Sequence, residues 1–389
     1  MKNTQKTFTI TRTEAERAFL IGIESKADAN MWKIDSSLEE LSSLAKAAGA
    51  QVVGKLSQKL ERLSPTYYLG KGKIEQLINL KDQYQYTVAI FNDELSPRQQ
   101  RNLEETLAVK VIDRTALILD IFAKRAQTRE GQLQVELAQH QYLLPRLAGQ
   151  WSHLERLGGG IGTRGPGESQ LETDRRLIRK RIQRLQAQLE AVRRHRTLYR
   201  AQRRRNRIAV VALVGYTNAG KSTLLNALSK ANVAAEDKPF STLDPVTRRI
   251  ALPNNRQVLL TDTVGFIHKL PPSIVESFRA TLEEIDEADL LIHVVDITHS
   301  NAAEQYQTVE DILADLKLDI KPRITVLNKV DRAAESMEEL GEMTFHLKAP
   351  SDSIVTISAL KGWGLTQLLH KIEDYLDKNS DSNWKAETD

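Results

Sequence analysis

A glycine-rich segment that ends in lysine and serine is the part of the sequence with the most evident chemistry. It reads Gly215-Tyr-Thr-Asn-Ala-Gly220-Lys221-Ser222, and it lies between an apolar run at 208–214 and a helix-like run at 223–228. Glycines let successive backbone N–H groups turn toward phosphate oxygens, and a lysine adds a positive charge beside them. A serine that follows this lysine is a typical magnesium ligand. The segment therefore predicts a phosphate-binding loop between a strand and a helix.

Three shorter motifs each follow an apolar, strand-like run farther along the chain. They are Asp262-Thr-Val-Gly265, Asn328-Lys-Val-Asp331 and Ser358-Ala-Leu360. The carboxylate of Asp262 can hold Mg²⁺ through its water shell, and the N–H of Gly265 can sense a γ-phosphate. The first of these motifs therefore extends the phosphate-binding loop into a site for a nucleotide with magnesium.

The other two motifs suit the recognition of a base. Asp331 can accept both the N1–H and the exocyclic amine of guanine, an arrangement that adenine does not offer. Asn328 can satisfy the base carbonyl and tie its loop to the phosphate loop, while the stem of Lys329 packs on the ring. A backbone N–H of residues 358–360 would donate to the same carbonyl. Four motifs in this order therefore predict a guanine-nucleotide site.

The chain that positions these motifs has 389 residues, which predicts two or three domains at roughly 150 residues each. It contains no cysteine, and this excludes a disulfide scaffold, a thiolate zinc site and a cysteine nucleophile. The eight histidines lack metal-ligand spacing. The apolar run at 208–214 is far shorter than the ~20 residues that cross a bilayer, and the first ten residues lack the apolar core of a signal peptide. We therefore expect a cytoplasmic protein without stable membrane insertion.

Apolar runs alternate with helix-like stretches in the first third of the chain. The strand-like runs are 18–23, 51–55, 87–91 and 109–112, and the helix-like stretches are 38–48, 74–81 and 96–107. Such alternation predicts a small parallel α/β domain. Its last helix has a predicted cap at Ser96, with Pro97 at the first helical position.

The next part of the chain, from about residue 113 to 207, has a helical pattern. Apolar residues, with His140 and Arg196 as exceptions, recur at alternating spacings of four and three within 133–154 and again within 178–199. Two such stripes predict an antiparallel helical hairpin whose apolar faces bury each other. Pro145 is expected to kink the first helix, and Ser169 and Glu172 have the spacing of a capping box at the start of the second.

A glycine-rich loop at 158–167 connects the two predicted helices and contains six of the nineteen glycines. Within it, residues 160–165 match the dinucleotide-binding pattern G-x-G-x-x-G, but that pattern requires a preceding strand and residues 151–157 have a helical pattern. A hairpin turn needs only two to eight residues. We therefore predict that this loop, which includes Arg164, is inserted into a partner and carries the mechanical part of the function.

Charge is distributed unevenly along the chain. Residues 174–207 contain fourteen lysines and arginines against two acidic residues, so this segment carries +12 and the remainder of the chain carries −8. A single basic element on an otherwise acidic protein favours a polyanionic partner, with nucleic acid first. The alternative is a solvated helix face without a partner.

The four nucleotide motifs resemble those of translation-factor-like regulatory GTPases, and Phe240-Ser-Thr-Leu-Asp-Pro-Val-Thr247 resembles the first switch segment of the Obg–HflX group. Outside the nucleotide site, four further segments are similar to HflX family motifs: YYLGKGK at 67–73, FNDELSP at 91–97, VIDRT at 111–115 and GGGIGTRGPGESQLETDRR at 158–176. The resemblance covers roughly residues 16 to 377.

The resemblance implies an N-terminal parallel α/β domain at 1–125 and a long antiparallel helical hairpin at 126–206. A P-loop GTPase domain with a mostly parallel sheet at 207–377 and a polar tail at 378–389 complete the expected organisation. It further implies a monomeric GTP-hydrolysing switch that binds the large (50S) ribosomal subunit and its rRNA and separates stalled or idle ribosomes under stress. Some members of the family also hydrolyse ATP.

The expected site residues combine the motifs and the resemblance. Lys221, Thr242 and Gly265 are expected to act in hydrolysis, and Ser222 and Thr242 to hold Mg²⁺, the latter in the triphosphate state. The expected contacts to GTP or GDP are Gly215, Tyr216, Thr217, Asn218, Ala219, Gly220, Lys221, Ser222, Thr223, Phe240, Ser241, Thr242, Leu243, Asp244, Asp262, Thr263, Val264, Gly265, Asn328, Lys329, Val330, Asp331, Ser358, Ala359 and Leu360.

The residue after Gly265 predicts slow hydrolysis. Ras-like enzymes orient the attacking water with glutamine at this position, whereas this chain has Phe266, whose ring cannot polarise water. A partner, by the resemblance the large ribosomal subunit, is therefore expected to order the switch segments. Two other functions stay open: an ATP-dependent RNA-remodelling protein that uses Gly70-Lys-Gly72-Lys73 of the N-terminal domain, and a module that regulates a protease or membrane complex.

Overall fold

The computed structural model describes residues 15–25, 32–147, 166–205, 208–229, 239–271, 274, 279–334 and 353–386. The chain divides into two compact units, one formed by Met1–Asp28 with Ser37–Arg114 and the other by Ala29–Ser36 with Thr115–Asp389.

The first unit is built on a sheet of four parallel strands, in the order β2-β1-β3-β4. These strands are β1 (Arg17–Ser25), β2 (Gln51–Leu60), β3 (Val88–Phe91) and β4 (Lys110–Asp113). The two central strands, β1 and β3, carry the apolar runs of the sequence, and β3 is buried at every residue. Burial along a whole strand is typical of a parallel sheet. The predicted parallel α/β fold is confirmed.

Three helices connect these strands: α1 (Ile34–Ala47), α2 (Lys71–Tyr84) and α3 (Pro97–Leu107). The predicted start of α3 is confirmed. The Ser96 side chain accepts a hydrogen bond from the backbone N–H of Gln99, and the Gln99 side chain accepts one from the N–H of Ser96. This capping box, with Pro97 in the first turn, satisfies N–H groups that the helix leaves free.

The helical region contains α4 (Arg114–Arg125), α5 (Arg129–Leu143) and α6 (Pro166–Arg205). Leu133 and Leu137 of α5 pack against Leu185 of α6. Glu136 pairs with Arg181, and the earlier residue Glu130 pairs with the later Arg196. The two helices are therefore antiparallel, as predicted, and the 40 residues of α6 correspond to about 60 Å.

Three local predictions in this region were wrong. The helical pattern is interrupted between α4 and α5, where Thr128 caps α5 by accepting from the N–H of Gly131 at 3.0 Å. Pro145 does not kink a continuing helix, because α5 ends at Leu143 and a turn follows; proline has no N–H with which to continue the helical hydrogen bonds. Ser169 and Glu172 lie inside α6, which begins at Pro166, a residue suited to a first helical turn. Residues 158–165 of the predicted loop lie outside the described residues.

The second unit also contains a six-stranded sheet, in the order β10-β9-β8-β5-β7-β6. The strands are β5 (Val210–Gly215), β6 (Val246–Ala251), β7 (Gln257–Asp262), β8 (Leu290–Asp296), β9 (Arg323–Asn328) and β10 (Ile354–Thr356). All neighbouring strands are parallel except β6 and β7. The predicted mostly parallel sheet is confirmed, and its central strands β5 and β8 are buried throughout.

The helices of this sheet are α7 (Lys221–Ser229), α8 (Arg279–Asp286), α9 (Ala302–Asp315) and α10 (Leu365–Ala386). The sequence analysis expected a separate polar tail at 378–389, but α10 continues through most of that segment and ends at Ala386. Among the described helices, none is long and apolar enough to cross a membrane.

Candidate nucleotide-binding site

The phosphate-binding loop joins the end of β5 to the start of α7, and two of its glycines are required by close contacts. Gly215 has φ +149°, and a Cβ there would lie 2.3 Å from the carbonyl oxygen of Val294. Gly220 has φ +97°, and a Cβ there would lie 2.2 Å from Nδ2 of Asn328. Both positions exclude other residues, since L side chains rarely adopt such backbone angles.

Lys221 is buried at the first position of α7. Its Nζ donates to the carbonyl oxygens of Gly215 at 3.1 Å and Tyr216 at 2.9 Å. Burial lowers the pKa of the Lys221 ammonium to about 8, and the nearby Asp262 carboxylate counters this shift. A desolvated cation held against the loop gains most from the arrival of phosphate oxygens.

Three buried oxygen-bearing side chains converge beside this lysine. Asp262, at the end of β7, accepts through Oδ2 from Oγ of Ser222 at 2.6 Å and from Oγ1 of Thr242 at 2.9 Å. The two hydroxyl oxygens are 2.8 Å apart. Burial raises the pKa of Asp262. Its Oδ1 has no hydrogen-bond partner among the described residues. The sequence placed these residues in separate motifs, and the fold brings them together.

The segment after Asp262 lies directly along the phosphate loop. Phe266 donates its N–H to the carbonyl oxygen of Gly215 at 3.1 Å and accepts from the N–H of Thr217 at 2.8 Å. The ring of Phe266 is buried. His268 donates its backbone N–H to the hydroxyl of Tyr216 at 2.7 Å. Three hydrogen bonds therefore fix the start of the second switch segment, which begins at Phe266, to the loop.

One pocket opens between the phosphate loop and the two switch segments. It is lined by Thr217, Asn218, Gly220, Lys221, Ser222, Thr223, Phe240, Ser241, Thr242, Thr263 and Gly265. All eleven are among the residues expected from the sequence. Leu243 is instead buried in the protein, and the carboxylate of Asp244 is directed at the start of α5, where it accepts from the N–H groups of Gln127 and Thr128. Asp244 was expected to contact the nucleotide, but in the structure its carboxylate binds the start of α5 and does not line the pocket.

Gly265 permits a close approach on the wall of this pocket. A Cβ on it would lie 2.8 Å from Cα of Thr217 and 3.0 Å from Nζ of Lys221. We expect Gly265→Ala to weaken binding of a non-hydrolysable GTP analogue by about fivefold or more, because overpacking costs roughly 1–3 kcal/mol when the loop must keep its place. Fluorescence titration measures this affinity. Gly72→Ala is the matched control, since nothing lies within 4 Å of a Cβ there. Equal affinities in both variants would contradict the expectation.

The predicted base-recognition motifs lie at the ends of β9 and β10. Asn328 donates from Nδ2 to the carbonyl oxygen of Ala219 at 2.8 Å and accepts through Oδ1 from the N–H of Ala359 at 3.0 Å. Asp331 accepts through Oδ1 from the hydroxyl of Ser358 at 2.5 Å. The Asn328 amide therefore ties three loops together, and Asp331 is oriented by the loop that follows β10. Leu360 is mostly exposed.

Lys329 is held by a residue that the sequence analysis missed. It adopts φ +67°, and its Nζ pairs with the Asp296 carboxylate at 2.7 Å. Burial alone would raise the pKa of Asp296, but hydrogen bonds from Lys329 and Thr298 hold it below its usual value. Asp296 ends the buried strand β8, so its position at a strand end was the available signal.

An aromatic stack beside the second switch segment was also missed. The ring of Trp32 stacks on His268 at 4.8 Å between centroids and on Tyr216 at 6.0 Å. Trp32 lies almost two hundred positions from the phosphate loop, and nothing in its local sequence indicates this contact.

The fold and the site together define a P-loop GTPase. A phosphate loop follows one central parallel strand, an aspartate ends the neighbouring strand, and a guanine-type Asn-Lys-x-Asp motif follows β9. Three family descriptions match this chain: "GTP-binding GTPase N-terminal" at 35–123, "GTP-binding GTPase Middle Region" at 125–203 and "50S ribosome-binding GTPase" at 210–329.

Curated relatives match almost the whole chain. "GTPase HflX" of Caldanaerobacter subterraneus subsp. tengcongensis is 50% identical over 95% of this chain and 82% of its own length. "GTPase HflX" of Alkalihalophilus pseudofirmus is 48% identical over 94% and 84%, and that of Escherichia coli is 42% identical over 93% and 83%. The chain belongs to the HflX family of GTPases, and it is an enzyme that hydrolyses GTP.

Proposed function

We propose that this GTPase binds the large ribosomal subunit and its rRNA, and that it separates stalled or idle ribosomes under stress with GTP as the switch. The proposal includes a monomeric cytoplasmic protein and the domain boundaries 1–125, 126–206, 207–377 and 378–389. The observation that carries it is a basic face on α6, the long helix directly connected to the GTPase domain.

The basic face consists of Arg176, Arg179, Lys180 and Arg184, all exposed. It lies on the side of α6 opposite Leu185, which is buried against α5. Arg176, Lys180 and Arg184 are four residues apart, so they repeat about every 6 Å along the helix. A row of exposed cations at that spacing suits the phosphates of a nucleic-acid backbone, and such contacts give affinity with little sequence preference.

Magnesium fits the observed oxygen cluster. Ser222, Thr242 and Asp262 present only oxygen atoms, which are the ligands that Mg²⁺ prefers, and Oδ1 of Asp262 lacks a hydrogen-bond partner among the described residues. We propose that Ser222 and Thr242 hold the ion with GTP, while Asp262 holds its water shell. When bound, the ion neutralises charge on the β- and γ-phosphate oxygens.

The chain's own residues then account for binding and control of hydrolysis. Lys221 supplies a cation to the terminal phosphates, and Gly265 leaves room for them beside the loop. Thr242 joins the first switch segment to the ion site, so the segment's position depends on the γ-phosphate. Phe266 contributes no polar group to the attacking water, and this makes hydrolysis depend on a partner.

Salt-dependent co-sedimentation with purified large subunits tests the role of the basic face. We expect the double variant Lys180→Gln with Arg184→Gln to reduce the slope of log affinity against log salt by about two, since each lost phosphate contact removes roughly one unit. Affinity near 0.15 M salt should fall by roughly fivefold, measured with a non-hydrolysable GTP analogue present.

The control for this experiment is Arg249→Gln with Lys378→Gln, which removes one exposed cation from the GTPase domain and one from the first residue of the polar tail, both outside α6. It changes net charge equally and should keep the wild-type slope. If the α6 variant also keeps that slope, the basic face does not contact rRNA phosphates and the proposed role of that face fails. Subunit dissociation assays with 70S ribosomes then test the separation step itself.

A further inference from the structure

We propose that the junction between α4 and α5 holds the first switch segment in place, and that Asp244 is a positioning residue for Thr242. This inference rests on the proposed role of Thr242 at the magnesium and γ-phosphate site. It concerns residues 240–244 and the start of the helical hairpin, all within the second compact unit.

The switch segment is attached to the helices on both sides of Thr242. The ring of Phe240 packs edge-on against Phe122 of α4, with 4.6 Å between centroids. The carboxylate of Asp244 accepts through Oδ2 from the backbone N–H groups of Gln127 at 2.8 Å and Thr128 at 2.9 Å, and its Oδ1 accepts from the Thr128 hydroxyl. Phe240 and Asp244, which flank Thr242 in the sequence, are therefore both held by the α4–α5 region, and Thr242 between them is directed at the ion site.

The opposite side of the segment reaches the nucleotide machinery. Thr242 is buried, and its hydroxyl contacts Ser222 and Asp262 at 2.8 and 2.9 Å. Because Phe240 and Asp244 are each only two residues away, both anchors restrict the positions that Thr242 can take. The geometry of the proposed magnesium ligands thus depends on α4 and α5, none of whose residues lines the nucleotide pocket.

The start of α5 is suited to bind the Asp244 carboxylate. Helix N-terminal N–H groups have no partners within the helix and favour negative charge. Gly131 provides the space, because a Cβ there would lie 2.2 Å from Oδ1 of Asp244. Glycine is otherwise unfavourable in a helix, so its presence here is explained by this contact.

The same helical base also contacts the region behind the second switch. Arg196 of α6 pairs with Glu130 of α5 at 2.8 Å and with Glu284 of α8 at 3.6 Å. Arg193 lies 3.5 Å from Glu283. The hairpin base therefore contacts both the first switch segment and α8, the helix that follows the second switch segment in the chain. By thermodynamic linkage, if the hairpin stabilises one position of the switch, then a nucleotide that favours this position also stabilises the contacts between switch and hairpin.

Two variants of the full chain break the anchor from opposite sides. Asp244→Asn replaces one carboxylate oxygen by an NH₂ group, which cannot accept hydrogen bonds from Gln127 and Thr128. Gly131→Ala fills the space that the carboxylate occupies, although alanine favours the helix more than glycine does. We expect each to weaken a non-hydrolysable GTP analogue with Mg²⁺ by about fivefold, while GDP affinity stays within about twofold of the wild type. The difference arises because Thr242 is expected to reach the ion only in the triphosphate state.

Asp120→Asn is the matched control, since Asp120 lies exposed on α4 and pairs with Lys124. It should leave both affinities unchanged. A general loss of packing would weaken both nucleotides together, so the ratio of the two affinities separates positioning from stability. Hydrogen exchange at the amides of Gln127 and Thr128 should be slower with the GTP analogue than with GDP, and Asp244→Asn should abolish that difference.

The proposal is overturned if Asp244→Asn and Gly131→Ala both fold and keep the wild-type ratio of affinities. Gly131→Ala keeps the test decisive if Asp244→Asn fails to fold. Failure of the underlying nucleotide site would look different, because the wild-type chain would then fail to bind guanine nucleotides at all.

Discussion

GTP affinity should fall by about a hundredfold when Asp331 is replaced by asparagine, and the affinity for xanthosine triphosphate should rise. A carboxylate that accepts two base donors makes two charge-assisted hydrogen bonds, each worth roughly 1.5–3 kcal/mol. Loss of about 3 kcal/mol corresponds to a factor of about a hundred. In xanthine the donor at position 2 becomes an acceptor oxygen, which the amide N–H₂ of asparagine can meet.

The surroundings of Asp331 make the substitution a clean test. Its Oδ1 accepts from Ser358, whose loop is joined through Ala359 to Asn328. Asparagine has the same shape and keeps an acceptor for Ser358, so the loops should stay in place. The loss is then specific to the base.

Titration calorimetry with GTP and xanthosine triphosphate measures both changes. Asp315→Asn, an exposed change at the end of α9, serves as the control and should leave both affinities unchanged. Unchanged GTP affinity in Asp331→Asn would show that another group recognises the base.

Large ribosomal subunits should accelerate GTP hydrolysis by at least about tenfold over the isolated protein, a barrier difference of about 1.4 kcal/mol or more. The reason lies at Phe266. Its ring is buried, and its backbone is bonded to both Gly215 and Thr217, so the segment holds no polar side chain in the place where Ras-like enzymes orient water. A partner is then required to complete the site.

Phosphate release under single-turnover conditions measures this acceleration. Small ribosomal subunits provide the control for added RNA and should give little stimulation. The variant Lys180→Gln with Arg184→Gln should keep the isolated rate and need more large subunits to reach the stimulated one. Equal rates with and without large subunits would remove the argument for a partner-completed site.

Local patterns were sufficient for the strands and helices that carry the nucleotide motifs. The phosphate loop was predicted because its glycines, lysine and serine have a fixed spacing and lie between a strand and a helix. The start of α3 was predicted for the same reason, since Ser96 and Pro97 act within a single turn; the Gln99 side chain that completes the capping box was not predicted. Both features are formed by residues only a few positions apart, so their spacing in the sequence is enough to predict them.

Contacts between distant parts of the chain were beyond this reasoning. Asp244 lies 116 positions from Thr128, the residue to which it binds. Thr128 is part of the interruption between α4 and α5, and residues 126–128 include no strong helix-breaking residue. The pairing of Asp296 with Lys329 likewise depends on β8 lying next to β9. Such contacts follow from the order of strands in the sheet, which periodicity does not specify.

The stack of Trp32 on His268 gives the second switch segment a built-in optical reporter. The chain contains only four tryptophans, at 32, 151, 363 and 384. Indole fluorescence depends on the groups that surround the ring. The centroid of the Trp32 ring lies 4.8 Å from that of His268, and the backbone N–H of His268 donates to the hydroxyl of Tyr216 in the phosphate loop. A movement of His268 therefore changes the light emitted by Trp32, and the switch can be followed in the unlabelled protein.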